Sequence, residues 1–157
     1  MNYRKSLAWL FLFYKINVFY TYFVYLHSKI FIMIIEISIG EAFDRLTILK
    51  IKSEMIKDEA KLTNVMKEYF YLQNLLKEEL EVDEDNEDFK RLFNVNSQLW
   101  DVEDKLRECE EKGDFTDEFI KLARAVYYLN DARAVIKKEI NLAYGSQFVE
   151  EKSYNQL

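Results

Sequence analysis

Leu92-Phe-Asn-Val95-Asn-Ser-Gln-Leu99-Trp-Asp-Val102-Glu-Asp-Lys-Leu106-Arg-Glu-Cys109 is the stretch that decides the fold of this chain. Its apolar positions Leu92, Val95, Leu99, Val102, Leu106 and Cys109 advance by three and four residues in strict alternation. That spacing draws an a/d seam along one side of a helix over nearly three heptads. Most of the residues between are charged or amide-bearing, as a solvated face requires. The seam stops at Gly113, where a helix is expected to end.

A second pattern of the same period follows it. Phe119, Leu122, Val126, Leu129, Arg133, Ile136, Ile140 and Ala143 again step by three or four, and only Arg133 breaks the apolar set. Asp114 or Thr116 can cap this helix, and Asp117 and Glu118 suit the positive end of its dipole. Gly145 stands where a left-handed residue closes a helix. Two helices of this length with a four-residue connection form an antiparallel hairpin.

Upstream, Ile35, Ile37 and Ile39 alternate with polar residues in a short extended lead-in. Ser38 and Glu41 then have the S-x-x-E spacing of a capping box, so a first helix is expected from about Ile39. Its apolar positions include Phe43, Leu46, Leu49, Ile56, Leu62, Val65, Tyr69, Leu72 and Leu76, and no proline interrupts it before the acidic stretch Val82–Asp88. Some 40 residues of helix would span about 60 Å. The stripe is weakest near Asp58–Asn64, which marks a possible hinge. The expected architecture is all-α: a long helical hairpin packed on a long first helix, a three-helix bundle of coiled-coil character.

The whole-chain composition agrees, with no proline, three glycines and one cysteine in 157 residues. A fold of many tight turns, a disulfide scaffold and a zinc cluster are all excluded. The averages conceal a break, however. Residues 1–32 contain Arg4, Lys5, Lys15 and Lys29 and no acid, so they carry +4 of a total of −6, and the remainder carries −10. Two domains are therefore expected: a hydrophobic, basic extension over 1–32 and a helical bundle over 33–157. The extension has three readings: a membrane anchor, an extra helix on the core, or a disordered or mis-assigned start. Lys15 interrupts the apolar run that an anchor needs. Localisation follows from the choice: cytoplasmic, or membrane-tethered through residues 1–32.

Chemistry is sparse. The only histidine, His27, lies in the extension. Cys109 sits in the seam with no histidine to activate it, and no glycine-rich phosphate loop exists. No cofactor and no metal are expected. The acid pairs, Glu110-Glu111 among them, read as solvated surface. Nucleic acid is a poor partner for a body at −10. Arg133 stands out, because a cation in a seam is costly unless paired. Its candidate neighbours are Asn130, Asp131 and Lys137 on its own helix, with Glu103 and Asp104 across the hairpin.

The stretches ISIGEAFDRLTILKIK (37–52), VNSQLWDVEDKLR (95–107), LARAVYYLNDARAVIKKEIN (122–141) and GSQFVEEKSY (145–154) together resemble an uncharacterised domain-of-unknown-function family of short helical proteins from bacteria and large viruses or phages. The resemblance covers about residues 33–154 and implies a fold without an activity. It marks a polar set: Glu41, Asp44, Thr47, Lys52, Glu103, Asp104, Arg124, Asn130, Asp131, Arg133, Glu150, Lys152 and Tyr154. From Glu103 onward these are the candidate ligand- or partner-binding residues.

Two functions are expected from these features. The first is a non-catalytic helical interaction or oligomerisation module that binds a protein partner or itself. The alternative is a ligand-binding protein or enzyme for an anionic metabolite such as a sugar phosphate or nucleotide. In that case Arg124, Arg133 and Lys152 grip the anion and Glu103 or Asp131 moves a proton. The absence of the usual catalytic groups leans against an enzyme.

Overall fold

The computed structural model describes residues 34–149 and 151, and the readings made for residues 1–32, Glu150, Lys152 and Tyr154 lie outside them. Four helices follow in order: α1 (Ile39–Met55), α2 (Glu59–Leu80), α3 (Glu87–Lys112) and α4 (Asp117–Ala143). They belong to one compact unit, Glu36–Leu157, and no strand occurs among the described residues. The all-α reading and the long hairpin, here α3 and α4, are what the sequence predicts. One element differs: the expected long first helix is two helices.

The break has local causes. Ile56 is extended (φ −81°, ψ 123°) and so is Asp58 (φ −73°, ψ 118°). The Asp58 carboxylate accepts from the Lys61 amide at 2.8 Å, a fresh N-cap that starts α2. The break therefore lies at the N-terminal edge of the weak part of the stripe. Apolar periodicity runs across it because both helices turn their apolar sides to the same core.

α1 is the hub, packing against α2, α3 and α4, while α3 and α4 pack along each other. The core unites Phe43, Leu46 and Leu49 of α1, Tyr69, Leu72 and Leu76 of α2, Phe89, Leu92, Val95 and Leu99 of α3, and Ile136 and Ile140 of α4. Val82 is buried with them. It follows Glu81, whose φ of 59° ends α2 in the left-handed region, and its amide returns to the Leu76 carbonyl at 3.2 Å. Gly113 (φ 66°) ends α3 in the same way, with the Asp114 amide on the Cys109 carbonyl at 2.8 Å.

The hairpin is unevenly covered. On α3 the last fully buried residue is Leu99, and on α4 the first is Ile136. Between them Val102, Leu106, Cys109, Phe119, Leu122, Val126 and Leu129 face the seam but are only half-buried. The two helices continue there as an arm that no third helix among the described residues covers.

Candidate functional site

The deepest polar groups of the chain gather where α1 enters the bundle. Ser38 caps α1 as predicted: its hydroxyl accepts from the Glu41 amide at 3.2 Å. The other half of the expected capping box is diverted. The Glu41 carboxylate accepts instead from Lys137 Nζ of α4 at 2.6 Å, because a buried ammonium needs a counter-charge more than an exposed amide does. Lys137 also lies 3.8 Å from Asp44, and the side chains of Lys137 and Asp44 are each only 7% exposed. Asn96 of α3 donates to Asp44 Oδ1 and Thr47 Oγ1, both at 2.8 Å, and the Thr47 hydroxyl donates to the Asp44 carbonyl. Three helices are thus tied by one chain of hydrogen bonds and ion pairs: Glu41, Lys137, Asp44, Asn96, Thr47.

The first amides of α1 are equally engaged. The Gly40 amide donates to Asn141 Oδ1 at 2.6 Å and the Ile39 amide to Ser146 Oγ at 3.1 Å. Gly40 is required here by close approach: a Cβ at that position would lie 2.5 Å from the Lys137 carbonyl oxygen. Asn96 Oδ1, Asn141 Nδ2 and Trp100 Nε1 are buried without a protein partner among the described residues. The cluster is therefore densely bonded and enclosed.

A second polar cluster fastens the acidic connection between α2 and α3. Glu84 accepts from the Tyr69 hydroxyl and from Lys50 Nζ at 3.1 Å, and Gln73 donates to the Tyr69 oxygen at 2.9 Å. Burial, then the Glu84 contact, pushes the Tyr69 phenol above its ordinary range. The Tyr69 hydrogen bond, reinforced by Lys50 against the opposing effect of burial, holds Glu84 below the usual carboxylate range. Lys50 is partly desolvated, yet Glu84 and Glu54 together raise it.

Of the candidate residues singled out from the sequence, Glu103, Asp104, Arg124, Asn130, Asp131 and Arg133 are described. Glu103 and Asp104 both accept from Arg107 of their own helix, at 3.3 and 2.9 Å. Arg133 is half-buried in the seam and forms no ion pair with either. Arg124 is exposed and donates to the hydroxyls of Tyr127 and Tyr128, at 3.2 and 3.4 Å. These bonds raise the guanidinium, while Tyr127 and then Arg124 pull the Tyr128 phenol down. At about 100° per residue, the nine-residue step from Arg124 to Arg133 ends on the opposite side of α4. Asn130 is half-buried and donates to the Val126 carbonyl at 2.9 Å, and Asp131 is half-buried beside it. Among the described members of the set, Arg124 and Arg133 therefore do not share a face of α4, and Glu150, Lys152 and Tyr154 lie outside the described residues.

Glu41, Asp44 and Thr47, marked by the resemblance, do converge. Asn96, Lys137 and Asn141 complete their cluster and were not among the candidates. Their signal was available: Asn96 lies next to seam residue Val95, and Lys137 and Asn141 each follow a seam isoleucine. A polar residue beside a seam is ordinary, so only the fold shows these three as buried.

No group of three or more His, Cys, Asp or Glu that could hold a metal ion occurs among the described residues. None of the described helices is long and apolar enough to cross a membrane. Comparison with curated proteins and with solved structures gives no match. A family of unknown function, DUF6165, matches residues 33–157. That range takes in all four helices and both polar clusters, and the chain belongs to this family.

Proposed function

We propose that this chain is a non-catalytic interaction module whose working part is the uncovered arm of the α3–α4 hairpin. The observation that carries the reading is the mismatch between pattern and burial along that hairpin. The heptad seam continues from Leu99 to Cys109 on α3 and from Phe119 to Leu129 on α4, yet none of its residues there is fully buried. A two-helix arm with a sustained a/d seam is an incomplete coiled coil, and a third helix is the element that completes it. The tip adds apolar surface: Phe115 is 57% and Ile120 53% exposed, and the Phe115 ring meets Phe119 edge-on at 5.2 Å. The polar clusters support the same reading from the other side. Their groups are spent on joining α1 to α3 and α4, and on joining α1 to α2 and its loop.

The helix that completes the arm is supplied by another protein or by a second copy of this chain. Sedimentation velocity of the full chain across a concentration series tests it. The expected result is reversible self-association, or capture of a helical partner, that Phe115→Asp together with Phe119→Asp abolishes while helix content is unchanged. A chain that stays monomeric at the highest concentration, and that captures nothing these substitutions release, overturns the reading.

A further inference from the structure

The hairpin has two sides, and its polar residues tell them apart. Asn96 of α3 and Lys137 of α4 each stand just after a seam residue, and both bond into α1. They mark the side that α1 roofs. Arg91 of α3 and Glu139 of α4 each stand just before a seam residue and pair with one another, which marks the opposite side. A step of seven residues is close to two turns and keeps to one side of a helix. Counted from Asn96, the α1 side continues into the arm as Glu103 and Glu110, both exposed. Counted from Arg91, the opposite side carries Lys105 and Lys112. On α4 the same step back from Lys137 reaches Asn130 and then Ala123, and Ile120 and Tyr127 are exposed one turn to either side of Ala123.

We propose, resting on the reading of the arm as the interaction surface, that its partner is an amphipathic helix with Lys or Arg along one edge, seated on the side that α1 roofs at the root. The root shows the rule that such a helix obeys. There the rim cation Lys137 is answered by carboxylates of the roofing helix, Glu41 at 2.6 Å and Asp44 at 3.8 Å. In the arm the rim charge changes sign. Its α3 edge presents Glu103 and Glu110, and the neighbouring base Arg107 is divided between Glu103 and Asp104. Its α4 edge presents Ile120, Ala123 and Tyr127, which carry no charge. Between the edges lies the half-buried seam. A helix that fills this channel therefore sets apolar residues on the seam, cations against α3 and neutral residues against α4. Charge also weighs against a second copy as the occupant. Nine acids against five bases leave residues 100–129 at −4, so two arms laid together repel.

Fluorescence anisotropy of labelled peptides titrated with the full chain tests side and charge together. Each peptide has about four heptads with leucine at a and d. One carries lysine at the flanking e and g positions, one carries glutamate there, and the third is the lysine peptide scrambled. The lysine peptide should bind about tenfold tighter than the glutamate peptide, and the scrambled peptide should bind no better than the glutamate one. Glu103→Lys with Glu110→Lys should erase the preference. Glu78→Lys with Glu79→Lys on α2, the same change in net charge, should leave it. All four sites are exposed, so helix content should match the parent by circular dichroism. Equal binding of the lysine and glutamate peptides overturns the proposal while leaving an interaction arm that ignores charge. A scrambled peptide that binds as well as the lysine peptide reduces the attraction to net charge and overturns it too. A preference that survives Glu103→Lys with Glu110→Lys puts the partner on another side, and a dimer of the chain that excludes the lysine peptide gives the arm to a second copy; either overturns it. A chain that stays monomeric and binds no peptide overturns the proposal and the interaction-module reading together.

Discussion

The two halves of the α3–α4 hairpin carry one sequence pattern and meet two fates. Near its open end, Leu92, Val95 and Leu99 are sealed by α1 and by Ile136 and Ile140. Past Leu99 the same three-four spacing leads to Val102, Leu106 and Cys109, which stay half in solvent. Periodicity states which side of a helix is apolar. Whether that side is sealed depends on how far the neighbouring helix extends, and α1, at 17 residues, is shorter than either arm of the hairpin. The root is therefore the stable half and the arm the available half.

The largest expected effect breaks the root at its buried charge. Lys137→Met leaves Asp44 and Glu41 without their cation and should cost about 3–5 kcal/mol in urea unfolding. A loss under 1 kcal/mol would show that Lys137 reaches water and that the cluster is no closed lock. Leu92→Ala should cost about 2–5 kcal/mol, since its side chain is fully buried. Gly40→Ala forces α1 and α4 apart at the Lys137 carbonyl and should cost about 1–3 kcal/mol. Leu106→Ala in the arm should cost only about 1 kcal/mol in the monomer. A larger loss that grows with protein concentration would mean that the arm is covered in solution, and would sharpen the contrast into an interface.

The smallest effect concerns pH. Glu84 has a lowered pKa in the folded chain, so as pH falls the unfolded chain takes up its proton first. The clasp's contribution is whole at neutral pH and is lost as pH drops through the ordinary carboxylate range and below. Tyr69 behaves oppositely: its raised pKa means stability is lost as pH climbs past 10. Thermal unfolding of Glu84→Gln against pH should show the acid slope reduced relative to the parent. An unchanged slope would assign acid sensitivity to other carboxylates.

Much of the fold was legible because each helix announces itself by local chemistry. The seam of α3, Gly113 and Gly145 in left-handed turns, and the Ser38 cap all depend on residues close in sequence. The division of α1 from α2 was harder to read, because the only stop signal is Asp58 and apolar periodicity continues across it. The polar cluster was half legible. Glu41, Asp44 and Thr47 were marked by resemblance, but their partners Asn96 and Lys137 lie 49 to 96 residues away. No spacing rule reaches that far. Arg133 attracted attention for breaking a seam, yet it lies on the arm, where the seam residues are only half-buried.

The amides that open α1 are capped by Asn141 and Ser146, more than a hundred residues downstream. During synthesis α1 is the first of the four helices to leave the ribosome and the last to have its end completed. The hairpin can close from neighbouring residues alone, whereas α1 must wait for the chain that follows α4. Folding should therefore proceed from the back of the sequence to the front, with docking of α1 as the late step. Asn141→Ala should accordingly speed unfolding and leave the folding rate nearly unchanged, and a slowed folding limb would reverse that order.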